Sequence, residues 1–290
     1  MEAYDDDDTA TFHYITWKDL YLREKPFQLF IDIPANVPDQ RKTNIEFERK
    51  EVGIQDIREN EGTFNLDSHG FLVRRSSTLS SFEDLNTTSV ESTYLPAVEK
   101  FLRAEVEGVD RVFFFDWRLR SASTPAVKSI VNLKDHSERL GPAMYVHVDQ
   151  APVAALNRVK TQLANEADYL LQGRVRILNI WRPLRHPVED WPLAVCDGST
   201  VDTTDLVETD TVRRDYVGSN MFVLHQERHK WYYLSKHNVD EVLVLKQFDS
   251  SPDVDARYCP HAAFKHRNVT AQTPARESVE VRALVFTYPR

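Results

Sequence analysis

Cysteine is scarce in this 290-residue chain: Cys196 and Cys259 are its two thiols, and they form no Cys-x-x-Cys spacing. Two distant thiols build neither a disulfide framework nor a thiolate metal site, so any metal must be held by histidines and carboxylates. Long apolar runs are missing too. Nothing approaches the roughly 18 residues that cross a bilayer, and the N-terminus, with Asp5 to Asp8 in a row, lacks the basic and apolar regions of a secretion signal. The address expected from these absences is the cytoplasm, with no membrane partner. Basic charge is in deficit, with a formal net charge of -9, which argues against nucleic acid because phosphate backbones are met by clustered Lys and Arg. Internal repeats and low-complexity segments are absent beyond the aspartate run.

What is present is ordinary for a folded protein: 41% hydrophobic and 28% charged residues, enough to fill a sizeable core. One catalytic core with appendages is expected. Residues 1–12 read as a frayed acidic tail. Short strands are suggested at 27–33 and 70–73, around a charged segment, 40–62, with little periodicity. Leu95, Val98, Phe101, Leu102 and Val106 recur at helical intervals in STYLPAVEKFLRAEVEG (92–108), predicting an amphipathic helix. A second helix is predicted over 152–171, with Pro152 at its start and Gly173 after its end. Between them, 112–117 and 144–148 read as strands.

From Gly173 onward strands dominate, in 174–184, 192–201, 229–235, 241–250 and 277–288. Several strands in succession with few helices imply a sandwich or closed barrel, here mainly β with flanking helices.

Within MYVHVDQAP (144–152), His147 and Asp149 stand one residue apart in a β-branched run. Strand alternation points Tyr145, His147 and Asp149 one way and Val146 and Val148 the other, so the imidazole and the carboxylate can share one ion. With a distant second histidine they make the 2-His-1-carboxylate triad that suits Fe(II) and leaves positions open for substrate and dioxygen. His261, in RYCPHAAF, leads for that role; His229, in HKWYYL, is the runner-up, and His225 and His237 read as loop residues. Downstream, Arg276, Ser278, Glu280 and Arg282 share one strand face. A guanidinium facing a barrel interior needs an anion, and its fork suits the far carboxylate of a dicarboxylic cosubstrate. The bland alternatives are a structural His–Asp pair, an internal Glu280–Arg282 pair and aromatic core packing.

These residues carry a family resemblance. YVHVDQAP (145–152), NIWRPL (179–184), PLAVCDGSTV (192–201), HKWYYL (229–234), DEVLVLKQFDS (240–250), PHAAF (260–264) and RESVEVRALVF (276–286) resemble, in order, the Fe(II)/2-oxoglutarate-dependent oxygenases. More closely they resemble the fungal hydroxylase/desaturase group related to gibberellin desaturase-like and cephem-methoxylase-related proteins. The resemblance spans roughly 70–288.

It implies a double-stranded β-helix, the cupin-like jelly roll, over 70–290, with 1–69 as an N-terminal extension packed on the core. It implies Fe(II) on His147, Asp149 and His261, and 2-oxoglutarate with its far carboxylate on Arg276 or Arg282. Tyr145, Asn179 and Trp181 are expected to line the cofactor pocket, with Trp231 and Tyr232 as further aromatic candidates. The activity implied is hydroxylation or desaturation of a small secondary metabolite using dioxygen, with release of succinate and CO2. Arg118, Arg120, Arg182 and Arg185 are candidates for an acidic substrate, and the N-terminal elements are the surface available for a homodimer. Two rival readings are a metal enzyme without 2-oxoglutarate, such as a zinc hydrolase, and a silent cupin-like binding protein. The first predicts no carboxylate-binding arginine in the barrel, the second a decayed ligand set.

Overall fold

Alternating and doubly buried strands dictate the architecture. A computed structural model describes residues 9–124, 135–136, 138–214 and 216–290, so the aspartate run lies outside the described residues. In chain order the strands are β1 (Thr9–Ile15), β2 (Phe27–Leu29), β3 (Phe47–Asp56), β4 (Phe71–Arg75), β5 (Arg111–Ser121), β6 (His147–Val148) and β7 (Arg174–Pro183). There follow β8 (Leu193–Cys196), β9 (Leu206–Arg213), β10 (Tyr216–Val223), β11 (Trp231–Tyr233), β12 (Glu241–Asp249), β13 (His261–Ala263) and β14 (Glu277–Thr287). They form a nine-stranded sheet, β1-β3-β11-β8-β13-β6-β10-β9-β2, and a five-stranded antiparallel sheet, β4-β12-β7-β14-β5. The fold is a jelly roll.

The small sheet's central strands are buried on both faces. On the outer face Leu178, Ile180, Val242, Val244, Val279 and Val281 pack with Val98, Phe101 and Leu102 of the Leu95–Glu105 helix. Each such apolar side chain contributes roughly 1.5–3 kcal/mol on burial, which fixes the sheet register by fixing which face is inside. The alternate residues, Asn179, Trp181, Glu280 and Arg282, therefore face the large sheet.

Helix Pro152–Gln162 starts on proline as expected, and its Ala155 and Val159 close one end of the roll against Val175, Ile177, Leu284 and Phe286. The predicted continuous helix breaks at Leu163, which leaves helical geometry at φ -128° and ψ 40°, and resumes at Ala167–Leu170. The break lets both Leu163 and Leu170 reach that same cluster.

Residues 9–12 are not a frayed tail. They belong to β1, which pairs β3 antiparallel and buries Ala10, Phe12 and Tyr14 against Trp231 and Cys196. The charged segment 40–62 contains β3, which joins the large sheet by a parallel pairing to β11. No helix among the described residues is long and apolar enough to cross a membrane.

Candidate metal centre

β6 and β13 are neighbours in the large sheet, and His147 stands directly opposite His261 in their register. Directly paired residues project from the same face, so two histidines 114 positions apart meet with ring centroids 4.4 Å from one another. The residues next to them in sequence turn the other way: Val146 and Ala262 are fully buried with Phe12 and Trp231. One step past β6 the chain bends, and Asp149 brings Oδ1 to 3.4 Å from His147 Nε2. The donor atoms of His147, Asp149 and His261 all lie within 4.8 Å of one another, the one such group of three among the described residues.

Each imidazole is oriented by its own backbone. His147 Nδ1–H donates to the Tyr145 carbonyl at 2.7 Å, and His261 Nδ1–H donates to the Cys259 carbonyl at 3.1 Å. That leaves both Nε2 lone pairs turned into the site, the tautomer a metal ligand requires. Burial, with His147 beside it, pushes His261 down to about 4, so its ring is neutral at physiological pH. Burial alone would raise the Asp149 carboxyl, but Arg282, then His147 and His261, hold it well below the usual carboxylate range. Two imidazole nitrogens and one carboxylate on one side of a cavity fit Fe(II) with open positions opposite.

The cavity beside these groups is lined by His147, His261, Trp181, Leu193, Glu280 and Arg276, among others. Arg276 is buried. Its Nη1 donates to the Trp191 carbonyl at 2.5 Å and its guanidinium lies 5.7 Å from the Trp181 ring centre. No described carboxylate forms an ion pair with it, and its Nε has no hydrogen-bond partner. Burial, then the neighbouring Arg120, draws it down to about 10. A buried guanidinium left in this condition is costly unless an anion arrives.

Arg282 is placed differently. Its Nε donates to Glu280 Oε1 at 2.6 Å, and it pairs with Asp149 at 3.2 Å and Asp116 at 3.5 Å. Three carboxylates outweigh its burial and raise its pKa.

Asn179 donates to Asp149 Oδ2 at 2.6 Å. Trp181 lines the cavity. Tyr145 is 38% exposed and packs on Phe47 at 4.3 Å, at the rim rather than in the cavity. Trp231 packs with Phe12 in the core behind the sheet, and Tyr232 packs on Phe64. His229 is held elsewhere, with Nε2 3.1 Å from Asp205 Oδ2. His225 packs on Tyr14, while His237 is buried, donating from Nε2 to the Glu241 carbonyl at 2.9 Å. Arg182 and Arg185 are also engaged away from the site, Arg182 with the Tyr94 hydroxyl at 3.0 Å and Arg185 with Asp84 at 2.7 Å.

Sequence reasoning missed Gln247, whose Oε1 accepts the Asp149 backbone N–H at 2.8 Å, and Asp116. A carboxylate inside FFFDWRL was the available signal for Asp116; Gln247 sits in a bulge and carries none.

A family model described as oxidoreductase/YMDC permease-like domain matches residues 12–286. The Fe(II)/2-oxoglutarate-dependent dioxygenase nvfI of Aspergillus novofumigatus is 34% identical over 280 residues, covering 93% of this chain and 92% of that one. The chain belongs to this oxidoreductase family and, within it, to the Fe(II)/2-oxoglutarate-dependent oxygenases.

This oxygenase is also 34% identical to the hydroxylase/desaturase efuI of Hormonema carpetanum, over 84% of its own length and 86% of the relative's. A 139-residue stretch, 47% of the oxygenase, is 45% identical to aspirochlorine biosynthesis protein N of Aspergillus oryzae and spans 58% of that relative. Among solved structures, a variant of the iron and alpha-ketoglutarate-dependent endoperoxidase NvfI superposes with a TM-score of 0.84 at 30% identity, covering 97% of both chains.

Proposed function

We propose that His147, Asp149 and His261 hold Fe(II), that Arg276 receives the far carboxylate of 2-oxoglutarate, and that the enzyme hydroxylates or desaturates a small secondary metabolite. One observation carries the reading: a pre-aimed His–Asp–His set shares a cavity with a buried arginine whose guanidinium forms no ion pair with a described carboxylate. That arginine also weighs against a zinc hydrolase, which has no dicarboxylate to bind. The hydroxylase/desaturase relative supports the choice of chemistry.

Bound there, iron and 2-oxoglutarate supply the oxidative decarboxylation that yields succinate and CO2 and the oxidising power to take hydrogen from a substrate C–H bond. The chain's own residues bind and orient. Arg276 makes a charge-assisted pair with the cosubstrate, stacked on Trp181, while Leu193, Ala143 and Ala263 supply the apolar wall that keeps water from the carboxylate. The Tyr145 and Cys259 carbonyls hold both imidazoles in one tautomer. For the compartment we propose the cytosol, supported by two buried, unpaired thiols.

Anaerobic Fe(II) titration in the presence of 2-oxoglutarate tests the assignment through the weak visible charge-transfer band of the ternary complex. His147→Ala, Asp149→Ala and His261→Ala are expected to abolish the band, and His229→Ala to retain it. Arg276→Gln is expected to shift its 2-oxoglutarate dependence upward at least tenfold, the loss of roughly 1.4 kcal/mol or more expected for a buried charge pair. A band that survives His261→Ala and vanishes in His229→Ala would reassign the third ligand, and no band in folded, iron-loaded protein would remove 2-oxoglutarate from the reading.

A further inference from the structure

Two arginines face the interior, Arg282 from the middle of β14 and Arg276 from the residue just before it, and the cosubstrate needs one. The other sits where a metal ligand has to be shaped. Asp149 has two carboxylate oxygens with different surroundings. Oδ2 accepts from Asn179 Nδ2 at 2.6 Å and lies 3.2 Å from Arg282 Nη2. Oδ1 has the longer Arg282 contact, 3.4 Å, and faces His147 Nε2. The backbone N–H of Asp149 is separately tied to Gln247.

Arg282 cannot swing freely. It is paired in register with Asn179 of β7 on one side and with Asp116 of β5 on the other, and Glu280 Oε1 holds its Nε at 2.6 Å. Glu280 in turn lies 3.5 Å from Arg120. Serving a mobile dicarboxylic acid instead would mean giving up contacts with three carboxylates.

Resting on the reading of Asp149 as an iron ligand, we propose that Arg282 is a positioning residue. With Asn179 it occupies the outer oxygen of Asp149 and so presents the metal with a single carboxylate oxygen. A carboxylate restrained in this way cannot rotate to chelate through both oxygens, which keeps coordination positions open for the cosubstrate and dioxygen. Partners of this kind commonly change metal affinity by 10- to 100-fold when removed. Arg282 thereby separates from Arg276: the first acts through the metal ligand, the second on the cosubstrate.

The test is a comparison of metal and cosubstrate affinities in the full-length protein. Co(II) serves as the metal probe, followed by calorimetry and by its visible d–d spectrum, and 2-oxoglutarate affinity is then measured at saturating Co(II). Arg282→Gln and Asn179→Ala are each expected to weaken Co(II) binding about 10- to 100-fold and to alter the spectrum, with the 2-oxoglutarate dissociation constant unchanged. Arg282→Lys, which keeps the charge and one donor, is expected to recover part of the affinity. Arg276→Gln should show the mirror pattern, intact Co(II) binding with weakened 2-oxoglutarate. Should Arg282→Gln fail to fold, Asn179→Ala decides, since it removes one neutral donor and no charge.

Wild-type Co(II) affinity and spectrum in the Asn179 and Arg282 variants, with 2-oxoglutarate binding lost in the latter, would overturn the proposal and leave the ligand set standing. Equal Co(II) affinity in wild type and Asp149→Ala would overturn the ligand assignment beneath it as well.

Discussion

At the scale of single residues, what separates the polar groups of this interior is whether their partners are already present. His237 shows the same principle in a neutral group. It is buried, stacked edge-on to Trp181 with centroids 5.0 Å apart, and its Nε2 donates to the Glu241 carbonyl. Burial, only partly opposed by its contact with Glu241, draws it from 6.5 to about 4. The folded protein therefore keeps it neutral down to about pH 4, while the unfolded chain takes up the proton near 6.5. Unfolding gains protons in that window, so the stability contributed by this residue is complete above about pH 6.5 and is lost as pH falls toward 4. Lowering the pH from 7 to 5 should cost about 2 kcal/mol through this residue alone. Urea unfolding of the metal-free protein at the two pH values, in wild type and in His237→Gln, measures it: an identical pH dependence in both would show that His237 does not stay neutral on folding.

At the scale of elements, His261 owes its placement to the segment just before it. The Cys259 N–H donates to Lys246, the Pro260 carbonyl accepts from Cys196, and the Tyr258 carbonyl is clasped between two glycines. Gly70 has φ +85°, and a Cβ there would stand 2.8 Å from that carbonyl; at Gly198 a Cβ would stand 2.1 Å from it. Gly198→Ala must therefore push the 256–260 segment away from β8. Overpacking of this kind costs typically 1–3 kcal/mol, and here it also displaces a proposed ligand. The expected outcome is a lower urea midpoint together with weakened Co(II) binding; unchanged metal affinity in a destabilised protein would show that the loop yields without moving His261.

None of this close approach was legible beforehand, because a glycine's use depends on which distant backbone comes near it. The long inner strands were legible: apolar runs such as RVRILNIW and EVLVLKQF can hardly be anything but doubly buried strands, and β7, β12 and β14 lie there. β1, β3, β9 and β10 went unread, since TATFHYI follows an aspartate run, β3 carries charges on both faces, β9 carries Glu208, Asp210 and Arg213, and β10 has Gly218, Ser219 and Asn220 at its middle. The predicted strand 229–235 shrinks to Trp231–Tyr233, the stretch that pairs with Ile54–Asp56 of β3 and Val195–Cys196 of β8. His147 and Asp149 could be paired from their spacing, and His261 could be nominated. That it stands opposite His147, and which arginine has its carboxylates at hand, is information held in strand pairing and not in any local pattern.

At the scale of the whole molecule, the proposed metal site is a joint between the two sheets. His147 and His261 project from neighbouring strands of the large sheet, while the groups that hold Asp149 come from β7, β12 and β14 of the small one. An ion bound there would link parts of the chain 114 residues apart that no disulfide connects. It can be bound in full only when both sheets are assembled, so binding and folding are coupled. A metal present at 100 times its dissociation constant adds about 2.7 kcal/mol to stability. For a domain of this size that corresponds to a rise in Tm of roughly 4–5 °C. Mn(II), which occupies such sites without reacting with oxygen, should produce that rise in chelator-treated wild type, with a further increment on adding 2-oxoglutarate. Asp149→Ala should lose both increments and Arg276→Gln the second alone. A comparable Mn(II) shift in Asp149→Ala would mean that the stabilising ion binds somewhere other than between the sheets.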